Sequence, residues 1–147
     1  RQDIIAFLKN CVQNFELIHH NRTVLTAMPD EQVMVNFDNK LMEHVIHNIL
    51  NNAYKYSDSE SPIVLDFEEL DESVNITITD RGIGIPIEEQ NQLFSSFFRA
   101  SNTMSYPGTG LGLGIVKQFI DRHSGTVTIN SQINQGCSVT IKLLKQQ

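Results

Sequence analysis

The sequence predicts an α+β fold, a two-layer α/β sandwich whose mixed, mostly antiparallel sheet carries its helices on one face. Three observations carry that expectation. Apolar residues recur with helical period in three stretches, near residues 4–18, 41–53 and 111–123. Others alternate with period two, as in Ile63, Leu65, Phe67 and then Val74, Ile76, Ile78. Short turns separate most of the strands, so neighbours are largely hairpin-linked and the sheet is largely antiparallel.

The elements follow in order. Asp3 can cap a helix running to about His20, with Ile4, Ile5, Leu8, Cys11, Val12, Phe15 and Ile18 as its apolar stripe. Strands are expected over 23–28 and 32–37, divided by Pro29-Asp30. A second helix runs from about Asn39 to Tyr56, capped by Asp38. Two alternating strands flank an Asp-Glu-Ser turn and make a hairpin. Pro86, Glu88 and Glu89 open a short helix ending near Arg99, since proline and acidic residues suit a first turn. Residues 100–110, ASNTMSYPGTG, are small and polar and read as a loop. A helix from about Leu111 to His123 is closed by Gly125, and a hairpin over 126–133 and 137–144 turns at Asn-Gln-Gly.

With 147 residues the chain has one domain's worth of sequence, and 40% hydrophobic with 19% charged residues is a globular composition. It opens on Arg-Gln-Asp without Met and is expected to be part of a longer protein. No apolar run reaches the ~20 residues of a membrane span. A net charge of −6 argues against nucleic acid as the main partner. Cys11 and Cys137 lack metal-ligand spacing and read as free thiols of a reducing compartment.

Three stretches depart from what their elements require. HNILNNAYKYS, residues 47–57, sets Asn48, Asn51 and Asn52 in an amphipathic helix, where asparagine is up to ~0.7 kcal/mol worse than alanine per position. At about 100° per residue, Asn48 and Asn52 form one row at the edge of the apolar arc, with Lys55 beside them and Asn51 further round. Such amides can bond to loops or helix carbonyls. Stacked with a lysine, they also suit a hard cation and a phosphate. In SVNITITDRGIGIP, period two points Asp80 with Val74, Ile76 and Ile78 toward the core. It can bond its own loop, as in many Asp-x-Gly turns, or accept from an exocyclic amine such as adenine N6. Ile83, Ile85 and Pro86 would then supply apolar contacts. GTGLGLGIVKQF places four alternating glycines, Gly108 to Gly114, ahead of a helix, where free backbone N–H groups form a phosphate site. Neither the P-loop nor the protein-kinase pattern is present.

Together these stretches resemble the ATP-binding catalytic domain of sensor histidine kinases, in the superfamily shared with gyrase, the heat-shock chaperone ATPases and the mismatch-repair ATPases. HNILNNAYKYS matches the N box, DRGIGIP the first glycine box, LFSSFFRA the F box and GTGLGLGI the second glycine box, in the family's order and over nearly the whole chain. The resemblance implies a Bergerat-type ATP-binding fold over 1–147 and the cofactors ATP and Mg²⁺. It implies that Asn52 ligates the metal, with Asn48 close to metal and phosphates. Lys55 and Tyr56 would line the phosphate and ribose side, and Asp80 would accept from adenine N6. Gly82, Gly84 and Ile85 would shape the base pocket, and Phe94 and Phe97 the base of a lid. Arg99 would reach the γ-phosphate, while Gly108, Thr109, Gly110, Leu111 and Gly112 would wrap the phosphates. Asn48, Lys55 and Arg99 form the implied catalytic set, and Lys117 is a further candidate. Arg81, Gly114 and Ser124 depart from the family pattern without removing a ligand.

Hydrolytic members place a glutamate base where this chain has Asn48, which cannot take a proton. That favours phosphoryl transfer to a protein over hydrolysis. None of the five histidines has an acceptor's setting, so the acceptor is expected on a dimerisation helix of the parent, a dimer in full length. A response-regulator receiver domain is the expected downstream partner and the cytoplasm the expected location, the parent being either soluble or membrane-anchored. The alternatives are an anti-sigma-type serine kinase or a nucleotide-sensing module of the same fold.

Overall fold

The computed structural model describes residues 1–58, 60–94, 100 and 112–146. The Asp3 carboxylate accepts from the Ile5 N–H at 3.1 Å and starts helix α1, Ile4–Ile18. Its buried side chains are Ile4, Ile5, Phe7, Leu8, Val12 and Phe15. Two positions differ from the expected stripe. Ile18 lies on the apolar arc but is 64% exposed, because it falls in the last turn before the chain breaks away at His19. Phe7 is buried instead, edge-on to Phe37 with ring centroids 5.0 Å apart.

The two early strands are shorter than expected and belong to different sheets. Strand β1 (Gln2–Asp3) pairs antiparallel with β3 (Met34–Val35), while β2 (Val24–Ala27) joins the main sheet. Helix α2 spans Asn39–Tyr56 as expected, and Asp38 Oδ1 accepts from the Leu41 N–H at 3.0 Å to cap it. The main sheet adds β4 (Ile63–Glu69), β5 (Ser73–Asp80), β6 (Thr126–Gln132) and β7 (Gly136–Leu144), in the order β2-β4-β5-β7-β6. Only β2 and β4 run parallel; the other neighbours are antiparallel.

The centre of the sheet explains its register. Val74, Ile76 and Ile78 stand opposite Leu143, Ile141 and Val139, and all six are buried with the apolar faces of the helices in one core. Burying each aliphatic side chain stabilises by ~1.5–3 kcal/mol, and a one-residue slip would turn the whole set to solvent. The outer face is polar, with hydroxyl pairs Thr77–Thr140 and Thr79–Ser138 crossing the strands at 2.9 Å.

Pro86 precedes a 3₁₀ segment, Ile87–Gln92, and not the helix expected to reach Arg99. None of its six residues is buried, so no apolar face draws these six into an α-helix. The expected continuation over 95–99 and the 101–110 loop lie outside the described residues. Helix α3 runs Gly112–Arg122. Its end is a Schellman motif in which Ser124 N–H donates to Asp121 O (3.0 Å) and Gly125 N–H to Ile120 O (3.1 Å). The left-handed residue is therefore Ser124, at φ 55°, and not the expected Gly125. Gly125 is required for another reason: a Cβ there would stand 2.4 Å from the Lys142 carbonyl oxygen on β7. Cys11 and Cys137 are free, half-buried thiols, both pushed up to about 12 by burial. Among the described residues no helix is long and apolar enough to cross a membrane.

Candidate functional site

Helix α2 buries Met42, Val45, Ile46, Ile49, Leu50 and Ala53, which leaves Asn48 and Asn52 half-buried at the edge of that face. Neither amide makes a hydrogen bond to a described residue, although an unsatisfied buried amide costs ~1–3 kcal/mol. Asn51 behaves differently: its Nδ2 donates to His47 Nε2 one turn back at 2.9 Å, near the surface. Lys55, in the last turn, sets its ammonium 5.2 Å from the centroid of the Tyr56 ring.

Helix α3 starts directly over the asparagine row. A Cβ on Gly112 would lie 3.8 Å from Asn48 Oδ1 and 3.9 Å from Asn52 Nδ2. The first described residue of the second glycine box thus meets the N box, 60 residues upstream in sequence. Phe97, Arg99, Gly108, Thr109, Gly110 and Leu111 lie outside the described residues. Lys117, one turn into α3, is paired with Asp121 at 2.6 Å on the surface.

Asp80 ends β5 pointing inward, 9% exposed, in phase with the apolar set as its strand period requires. Its Oδ1 accepts from the Gly82 N–H at 2.8 Å, so the loop-bonding reading of Asp-x-Gly holds for that oxygen. Burial raises its pKa from 3.8 to about 6; the Gly82 N–H, the Arg22 guanidinium and the Cys137 backbone pull it down by less. No ion pair reaches it among the described residues.

The glycines of the DRGIGIP turn answer to backbone packing. A Cβ on Gly82 would fall 2.1 Å from Tyr56 O, because Ser57 and Gly82 form a bridge that joins the end of α2 to the end of β5. Gly84 has φ +69° and faces Gln132 O at 1.9 Å from where a Cβ would be. The rest of the turn is tied on every side. Ile83 N–H donates to Tyr56 O (3.0 Å), Asn134 N–H to Ile83 O (2.7 Å) and Ile85 N–H to Ser131 Oγ (2.9 Å). Gln90 Nε2 then bridges Ile85 O and Ser131 O. Ile83 and Ile85 are left half-buried on a fixed backbone beside Asp80.

Three positions escaped sequence reasoning, and a fourth, Gly136, was read only as a turn glycine. Ser131 and Gln90 knit the turn to the β6–β7 hairpin, and Gly136, at φ +97°, packs where a Cβ would be 2.0 Å from Asp80 O. Arg22 is 3% exposed and donates to Ser61 O (2.9 Å), Tyr54 O (3.3 Å) and Ser57 Oγ. Nothing periodic marks these residues. An open cavity of about 250 Å³ at the strand ends is lined by Asp80, Ser131, Gly136 and Cys137 among others, and by no residue of α2.

The donor set suits a nucleotide with its metal better than a metal alone. No group of three His, Cys, Asp or Glu side chains among the described residues could hold an ion. Two neutral amides match Mg²⁺, which takes few protein ligands and completes its shell with water and phosphate oxygens.

Residues 37–147 match the family model described as histidine kinase-, DNA gyrase B-, and HSP90-like ATPase. The sensor protein kinase WalK of Staphylococcus haemolyticus is 32% identical over 145 residues, 96% of this chain and 24% of that protein. A Staphylococcus aureus WalK is likewise 32% identical, with 35% of its length covered. The chain therefore spans about a quarter to a third of these relatives. Among solved structures, the mycobacterial sensor histidine kinase MprB superposes with a TM-score of 0.88 at 26% identity, covering 99% of this chain and 97% of that one. The nucleotide-free catalytic domain of histidine kinase ThkA has the same fold, with a TM-score of 0.85 at 24% identity, covering 99% and 96%.

Proposed function

The chain belongs to the family of histidine kinase-, DNA gyrase B- and HSP90-like ATPases, and on that premise we propose that it is the ATP-binding catalytic domain of a sensor histidine kinase. It would pass the γ-phosphate of ATP to a histidine on a dimerisation helix of its parent. The observation that carries this reading is the pair of half-buried amides, Asn48 and Asn52, without a hydrogen bond among the described residues and beneath the first residue of α3. Unsatisfied polar groups persist where a ligand completes them.

In this reading Asp80 accepts from adenine N6, and Gly82, Gly84 and Ile85 bound the base. Tyr56 lies on the ribose side. Asn48, Lys55 and Arg99 act on the phosphates, and Phe97 supports the segment carrying Gly108, Thr109, Gly110, Leu111 and Gly112 around them. Asn52 would hold Mg²⁺, which when bound supplies positive charge across the transferring phosphate oxygens. Asn48 has no proton affinity with which to activate water, so the chemistry is transfer by positioning and charge stabilisation. The domain spans 1–147, works in the cytoplasm, and hands on to a response-regulator receiver domain.

Two measurements test this. Asn52→Ala should weaken ATP binding at least roughly tenfold in Mg²⁺ and little in chelator, by calorimetry, as loss of a metal ligand would. Equal losses in both would remove the metal role. The chain should also label the phosphoacceptor helix segment of its parent from γ-labelled ATP, with an acid-labile bond. Acid-stable label on a partner serine would favour the serine-kinase alternative.

A further inference from the structure

Arg22 is a buried cation with no carboxylate in ion-pair contact among the described residues. It is 3% exposed, and its guanidinium donors go to two carbonyls, Ser61 O and Tyr54 O, and to the Ser57 hydroxyl. Its charge also lies 5.6 Å from the Tyr54 ring centroid. Burying an ion among neutral partners is costly, and replacing it by a neutral donor would satisfy the same carbonyls more cheaply. Part of the compensation comes from α2, whose C-terminal carbonyls carry partial negative charge where the guanidinium sits.

The remaining countercharge lies across the end of α2. Ser57, bonded by Arg22, is bridged to Gly82, and the Gly82 N–H holds Asp80 Oδ1. A short connected path therefore leads from a buried cation to a buried carboxylate, neither of which forms an ion pair among the described residues. We infer that Arg22 is a positioning residue for the nucleotide site, its guanidinium fixed under the end of α2 to supply the interior countercharge that keeps Asp80 an acceptor.

This deepens the proposed function and rests on it for the role of Asp80. Among the described residues, the groups bearing on that carboxylate are few. They are Arg22, the backbone N–H groups of Gly82 and Cys137, and the Cys137 thiol, which titrates only near 12. Against them stands burial, the largest influence on the group, which favours its protonated form. Arg22 offsets part of it.

The test compares Arg22→Gln, which keeps donors and removes charge, with Arg22→Lys, which keeps charge. The titration of Asp80, followed by its carboxyl carbon shift in the nucleotide-free chain, should move up by ~0.5–1 pH unit in Gln and by much less in Lys. ATP affinity should fall by roughly 1.5- to threefold near pH 6.5 in Gln and stay unchanged near pH 8.5, where the carboxylate is charged in either case. An unmoved Asp80 titration, or equal loss of affinity at both pH values, overturns the countercharge role. If Arg22→Gln does not fold, adding Asp80→Asn should restore folding, because no anion is then left without its cation. A double variant equally unfolded overturns the inference too. Failure of the parent chain to bind ATP at any pH would refute the proposed function and leave the Asp80 titration to decide the Arg22 role.

Discussion

Asp80→Asn should make the nucleotide-free protein more stable and disable nucleotide binding in the same stroke. Burial raises the carboxyl pKa from 3.8 to about 6 in the fold, so folding favours its protonated form. Because the folded state holds the proton more tightly, stability falls as pH rises from about 4 to about 6, and the deficit is complete above that window. At ~1.4 kcal/mol per pH unit the charged carboxylate costs the fold about 3 kcal/mol at pH 7. Asparagine avoids that charge, and its oxygen can keep the Gly82 N–H at the position of Oδ1. Its NH₂ group must find a new acceptor, which returns part of the gain and leaves ~1–2 kcal/mol. Thermal melts at pH 7 should show Tm higher by roughly 3–6 °C, the advantage shrinking to nothing near pH 4. Calorimetric titration with Mg-ATP should show binding greatly weakened. A variant less stable than its parent at pH 7, or one that binds ATP as well, would refute the assignment of a strained acceptor.

Other positions give sharper structural tests. Ser124→Gly should stabilise by ~1 kcal/mol in urea melts, since it removes the Cβ penalty of the left-handed conformation at φ 55°; a loss of stability would mean the serine hydroxyl contributes more than the strain. Gly84→Ala should destabilise by more than ~2 kcal/mol, because φ +69° is strained for alanine and its Cβ would run into Gln132 O. The same change should weaken ATP binding by displacing Ile85, and full affinity in a folded variant would separate the turn from the base pocket. Asn51→Ala should leave ATP affinity within about twofold, since Asn51 bonds to His47 on the outer side of α2. A large loss would extend the asparagine row to a third member.

The parts legible in sequence are those governed by neighbours a few residues away. The cap and both ends of α2, Asp38 and Asn39–Tyr56, follow from capping chemistry and helical period. The inward aim of Asp80 follows from strand alternation, and the exposure of Asn48 and Asn52 at the edge of an apolar face from their angle on the helix. The parts hidden from sequence depend on which distant backbone passes close by. The β2 strand runs parallel to β4 because the chain crosses over through α2, and β1 pairs with β3 across 30 residues. Gly125 was legible as a glycine near a helix end, but only the tertiary structure gives its reason, the Lys142 carbonyl, and moves the left-handed turn to Ser124. Arg22 gains its place only when Ser61, 39 residues on, folds over it. By itself the sequence marked which residues sit at a cost in their elements, the asparagines of α2 and the inward Asp80. The tertiary structure alone decided how they meet, bringing Gly112 onto the asparagines and the buried Arg22 to act on the buried Asp80, because close approach and charge in a low-dielectric interior are properties of space and not of chain order.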